Sequence, residues 1–201
     1  TYTFINHDEI DIKNVYPLRI NYKTYRFYNH LKGKYQAYNA VLAIEAVRYF
    51  FKELSYFEVT NAFSKVNLPA RLTTIGPGTY IDGAHNLSGM KALVEHLTYI
   101  KERRNVSVLF SCLYDKDVKG MLDLLETISD RIIITEFPDK RFKSLKEFIK
   151  PGMSYNEDAM GAYKRLLFEK DRTNNIYIVG SLHFASYMLK SIKEERLEVF
   201  E

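Results

Sequence analysis

The sequence predicts an α/β protein: a second part built on a mostly parallel sheet, preceded by a smaller α+β piece. Three observations carry this. The apolar runs VSVLFSCL, RIIIT and IYIVG are continuous rather than alternating, as in strands covered on both faces by helices. Stretches of helical spacing lie between them, so strand and helix alternate along the chain. Before Leu68 the pattern differs, with short aromatic-rich segments followed by helical periodicity.

From Tyr2 to Tyr28 the segments YTFI, YPLRI and TYRFY are rich in aromatic and branched residues and read as antiparallel strands. Between Lys34 and Lys52, Ala40, Ile44, Val47 and Phe51 follow one another at helical steps and predict a long amphipathic helix. A shorter helix is expected across Glu58 to Val66, and the proline of NLPARL ends it, with a domain boundary at about Leu68. RLTTI and TYID flank a GPG turn and suggest a hairpin. Beyond it the spacing predicts helices over 88–103, 118–129, 144–149, 157–170 and 182–195, and strands over 106–112, 131–136 and 175–179.

With 201 residues, 46% of them apolar, the chain can bury a substantial core. Its 29 basic against 25 acidic residues leave a formal charge of +4, too mild to demand a nucleic-acid or membrane partner. The single Cys112 lies inside an apolar run, which excludes an internal disulfide framework and suggests a buried thiol in a reducing compartment, the cytoplasm. No apolar stretch approaches the length of a membrane helix, and the start TYTFINHDEID lacks the features of a signal peptide. A chain that begins at Thr is expected to be an incomplete polypeptide.

Ligands of parallel sheets gather at the carboxyl ends of strands, where side chains and helix N-termini converge. Three segments occupy such places: Asp82, Gly83, His85 and Asn86 after TYI; Tyr114, Asp115, Lys116 and Asp117 after VLFSCL; Gly180, Ser181 and His183 after IYIV. YIDGAHN suits a phosphorylated or carboxylated ligand, yet Asp82 and Asn86 serve equally well as turn and cap residues. Asp117 and Ser181 are good N-caps, and His183 is expected to be packed or solvent-facing. KERR and KRFKSLK read as helix-face or loop charges. The five histidines form no zinc-ligand spacing, so no metal site is expected on this chain. There is no GxSxG, no GxxxxGK[ST] and no GxGxxG, which leaves any nucleotide site partial. The basic aromatic stretch YKTYRFYNHLKGKYQAY could stack nucleic acid, but suits a half-buried sheet better.

Taken in order, LKGKYQAYNAVLAIEAV, LPARL, YIDGAHN, LFSCLYDKD and VGSLHFAS resemble the C-terminal half of folylpolyglutamate synthase, the family that includes bifunctional dihydrofolate synthases and belongs to the Mur ligases. The resemblance spans about residues 31 to 190. It implies a Mur-ligase C-terminal Rossmann-like domain over 68–201, preceded over 1–67 by an α+β remnant of the central ATPase domain. It also implies a ligase that uses ATP to phosphorylate a folate carboxylate and lets L-glutamate displace phosphate, forming an amide. By resemblance Asn39 would contact adenine, Arg71 of LPARL the terminal phosphates and Asp82 the ribose, while His85 and Ser181 match positions for the incoming glutamate. A guanidinium suits charge spreading over transferred phosphoryl oxygens, although Arg71 could also be a structural arginine after Pro69.

The phosphate-binding loop and the ligands of Mg2+ belong, by the same resemblance, to a region absent from this chain, so the fragment is expected to be inactive alone. Apolar residues of the helix over 34–52 would then be left for the missing N-terminal half, or for self-association. Leu87 stands where the family has proline, and His183 where an aromatic often follows GSL, a change expected to bear on substrate preference. A different class of function, a stand-alone non-catalytic α/β module for a nucleotide or a protein, remains open at this point; a basic nucleic-acid module fits the weak charge least.

Overall fold

In the computed structural model, which describes residues 5–13, 16–51, 53–102, 104–129 and 131–198, the chain divides between Pro69 and Ala70 into two units. The first begins with a meander of three antiparallel strands, β1 (Ile10–Lys13), β2 (Leu18–Tyr22) and β3 (Tyr25–Asn29). Alternation decides which face is covered: Leu18, Ile20 and Tyr22 of β2 and Tyr25 and Phe27 of β3 are buried, and the residues between them are not. On that face lie Ala37, Ala40, Val41 and Ile44 of helix α1 (Tyr35–Phe50) and Val59 of α2 (Tyr56–Lys65). A capping box starts α2, with the Ser55 hydroxyl accepting the Glu58 N–H and the Glu58 carboxylate accepting the Ser55 N–H.

Two expectations change here. The first strand of the meander is IDIK, whereas the strand expected in YTFI falls on residues that, Ile5 excepted, lie outside those described. The buried stripe of α1 stops at Ile44, and Val47 and Phe51 are exposed. A helix of this length runs to about 24 Å, longer than a five-residue strand at about 17 Å, so the short meander covers only its first turns. Phe50 and Phe57 are exposed as well.

The second unit is a six-stranded sheet of β4 (Thr73–Gly76), β5 (Thr79–Ile81), β6 (Asn105–Phe110), β7 (Arg131–Thr135), β8 (Met153–Asn156) and β9 (Asn174–Val179), in the order β4-β5-β9-β6-β7-β8. β4 pairs antiparallel with β5, and every other pair is parallel. Helices α3 (Leu87–Lys101) and α4 (Val118–Glu126) share one core with Val106, Val108, Phe110, Ile132 and Ile134. Helices α5 (Ala159–Glu169) and α6 (Leu182–Glu198) share the other with Leu109, Ile133, Ile176 and Ile178. Successive strand residues thus enter opposite cores, which is why the strands read as continuous apolar runs.

The helix expected over 144–149 is a single 3-10 turn, Lys146–Phe148, cut short by Pro151 and the extended residues before it. The strand β8 was not expected from the sequence; it is an edge strand whose residues are exposed or half-buried, so it lacks the apolar signature of its neighbours. Among the described residues no helix is long and apolar enough to cross a membrane.

Candidate functional site

Strand order creates the site. β9 lies between β5 and β6, while the chain runs from β6 outward to β7 and β8, so the direction of winding reverses between β6 and β9. Loops leaving adjacent strands diverge at such a point and leave a crevice at the carboxyl edge. A cavity of about 180 Å³ occupies it, lined by His85 from the loop after β5, Lys116 after β6, Arg141 after β7, and Ser181 and His183 after β9. Leu113 and Leu182 supply apolar wall, and no acidic side chain is among the described residues that line it. The volume is below the roughly 300–1,000 Å³ of drug-sized sites and suits a small anionic metabolite.

Each side chain is placed by local chemistry. Gly180 has φ 117°, and a Cβ there would stand 2.5 Å from the Ser111 carbonyl oxygen, so only glycine lets β9 turn tightly over the end of β6. Ser181 follows, buried, with its Oγ accepting the His183 N–H at 3.1 Å at the start of α6. His85 donates from Nδ1 to the Gly83 carbonyl at 3.1 Å, which leaves Nε2 for a ligand. Lys116 pairs with Asp115 at 3.1 Å, and Asp117 caps α4 by accepting the Gly120 N–H at 2.9 Å. Cys112, on the same loop, is unsuited to act as a nucleophile: burial, then the Asp115 charge, push its thiol up to about 12.

Arg71 belongs to a neighbouring corner. Asp82 is 3% exposed, and its two oxygens accept the Ala84 N–H at 2.8 Å and the Leu72 N–H at 2.9 Å. The Gly83 N–H reaches the Ala70 carbonyl at 2.8 Å, so the segment before β4 is fastened to the loop after β5 at both ends. Ala70 and Leu72 have φ 55° and 50°, the left-handed region, and Arg71 is the residue between them. Burial raises the Asp82 pKa, opposed by the two N–H groups and by the Arg71 charge.

Of the residues singled out from the sequence, His85 and Ser181 share the cavity, with Lys116 and His183 beside them. Arg71 and Asp82 share the adjacent corner, where Asp82 performs the turn function and Asn86 caps α3 through the Gly89 N–H at 2.8 Å. Asn39 lies in the first unit on α1, exposed, with its amide donating to Gln36 Oε1 at 3.1 Å. Arg141 was not expected: it sits among the charges of KRFKSLK, and the available signal was its position after a fourth parallel strand.

Residues 70–181 match the family described as Mur ligase, glutamate ligase domain. A dihydrofolate synthase/folylpolyglutamate synthase of Bacillus subtilis is 31% identical over 173 residues, covering 81% of this chain and 40% of the relative. Among solved structures, the Mycobacterium tuberculosis folylpolyglutamate synthase complexed with ADP superposes with a TM-score of 0.76 at 28% identity, over 91% of this chain and 46% of that one. The Escherichia coli FolC in complex with DHPP and ADP shares the fold, with a TM-score of 0.77 at 17% identity over 94% of this chain and 47% of that one. The chain therefore spans about half the length of the structures it matches, and less of the Bacillus relative. A family match over most of the second unit, on a sheet whose cavity lies at the switch point, identifies the chain as a member of the Mur ligase family that carries its glutamate ligase domain.

Proposed function

We propose that this chain is the C-terminal part of an ATP-dependent amide ligase that adds L-glutamate to a folate derivative, and that it works in the cytoplasm. The unit Ala70–Glu201 is the glutamate ligase domain, and residues 1–69 are the end of the central ATP-binding domain. The observation that carries the reading is the small cavity with Lys116, Arg141 and two histidines on its wall and no acid among the described lining residues, which suits an amino acid bearing two carboxylates.

In this reading a folate carboxylate takes the γ-phosphoryl group of ATP, giving an acyl phosphate and ADP. The glutamate amine then attacks the acyl carbon, the C–O bond to phosphate breaks, and an amide and inorganic phosphate result. Arg71 neutralises the phosphoryl oxygens, and its fit rests on the corner that presents it. Asp82 fastens that corner through two lone pairs and keeps others for the ribose; Asn39 serves adenine. His85 and Ser181 hold glutamate, His85 through Nε2. Mg2+ is held by groups outside this chain, in an N-terminal half for which the exposed Phe50, Phe51 and Phe57 are the packing surface.

The test is ADP release with ATP, magnesium, tetrahydrofolate and L-glutamate, for the chain alone and mixed with an N-terminal half from a relative. Activity is expected only in the mixture and should fall by roughly 10³ in Arg71→Ala. Two folded, associated halves without activity would favour a non-catalytic binding module instead.

A further inference from the structure

Arg141 reaches the cavity through supports from two elements. The loop after β7 turns because the Asp139 carboxylate accepts the Arg141 backbone N–H at 2.8 Å, and Phe137 anchors it against Phe142 and Phe184. The guanidinium then meets His183 in the first turn of α6. Nε2 of His183 lies 3.0 Å from Arg141 Nη2, and Nδ1 lies 3.2 Å from Asp139 Oδ2. A guanidinium has only donors and keeps its proton, so the contact with Nε2 is a hydrogen bond when Nε2 offers its lone pair. The proton of the neutral ring then sits on Nδ1, where Asp139 accepts it. One tautomer satisfies both contacts, whereas imidazolium satisfies one and sets two cations against each other.

From this geometry we infer that His183 is a positioning residue: as the neutral Nδ1–H tautomer it bridges Asp139 and Arg141 and holds the guanidinium on the cavity wall to receive a carboxylate of the incoming amino acid, and protonation of His183 releases it. The inference rests on the reading of the cavity as a glutamate site. The groups that face His183 are Asp139 and Arg141 from the loop after β7, Lys116 from that after β6 and His85 from that after β5. The Arg141 backbone N–H, and behind it the Arg141 charge, hold the Asp139 carboxyl below its usual range. Asp139 therefore stays ionised and remains an acceptor for the proton on Nδ1.

Long-range ¹H–¹⁵N spectra of the 201-residue chain read the protonation of each imidazole nitrogen. A bare Nε2 and a protonated Nδ1 are expected for His183 at slightly alkaline pH, with the preference lost in Arg141→Met. L-Glutamate titrations followed by amide shifts supply the second readout. Wild-type affinity should weaken about tenfold between about pH 8 and about pH 5, and His183→Ala should be about tenfold weaker already at the upper pH. His183→Gln, whose amide oxygen takes the acceptor place of Nε2, should restore affinity and lose most of the pH dependence. A proton on Nε2, or an affinity unchanged in His183→Ala, overturns the inference while glutamate binding stands. Absence of wild-type glutamate binding at every pH overturns the glutamate reading and, with it, the carboxylate-receiving role assigned to Arg141.

Discussion

Two arginines stand at the carboxyl edge of the sheet, and the chain fastens them by opposite means. Arg71 is held through its backbone, between two left-handed residues, Leu72 tied down by the buried Asp82 carboxylate and Ala70 by the Gly83 N–H. Arg141 is held through side chains, by an imidazole that is 56% exposed and a carboxylate on its own loop. The first fastening is part of the core and answers to anything that unfolds the corner. The second is at the surface and answers to protons and ligand. Removing the first should therefore be read in stability, and removing the second in binding.

The largest effect is expected at Asp82. Asp82→Ala leaves the Leu72 and Ala84 N–H groups buried without an acceptor, at about 3 kcal/mol of stability, measurable by urea unfolding. Asp82→Asn retains one acceptor oxygen and should lose about half as much. Linkage adds a signature. A carboxyl whose folded pKa is raised binds its proton more readily in the native state, so its contribution to stability falls as pH rises from the unfolded value, about 3.9, through the folded one. Asp82→Asn should remove that slope from the stability profile in the acid range.

Gly180→Ala tests whether the cavity floor is as firmly built as the Arg71 corner. The Cβ would press on the Ser111 carbonyl and the Phe110 ring from a backbone at φ 117°, and about 2 kcal/mol should be lost in the same assay. A loss well under half of that would mean that β9 can relax at its end, and the contrast between a rigid corner and an adjustable wall would sharpen.

What the sequence disclosed divides along the same line. Strands β6, β7 and β9 were legible because both their faces enter a core, Ser181 because it follows such a strand, and His85 because it follows the TYI arm of the expected hairpin. The meeting of those two residues required β9 to lie beside β5, a long-range pairing that local pattern does not encode. Strand β8 escaped because an edge strand of half-exposed residues lacks the apolar run. Asp82 carried two readings, ligand contact or turn; its hydrogen bonds supply the turn, and the ribose contact stays a proposal. Arg141 was hidden in a charged loop because its meaning lies in an imidazole 42 residues away. Backbone-held features are thus readable where a strand or glycine announces them, and side-chain latches between distant loops are not.

The smallest effect is the most informative about the two fastenings. His183→Ala removes an exposed ring whose partners both stay in water's reach, so unfolding free energy should change by no more than about 0.5 kcal/mol. The backbone at that position keeps its support, since the Ser181 hydroxyl accepts the residue's N–H whatever its side chain, and alanine favours the helix it starts. Among the described residues no hydrogen bond or ion pair joins Asp82 to His183, so the double variant Asp82→Ala/His183→Ala should lose the sum of the single effects to within about 0.5 kcal/mol in urea unfolding. A larger coupling would show that the Arg71 corner and the Arg141 latch belong to one cooperative surface.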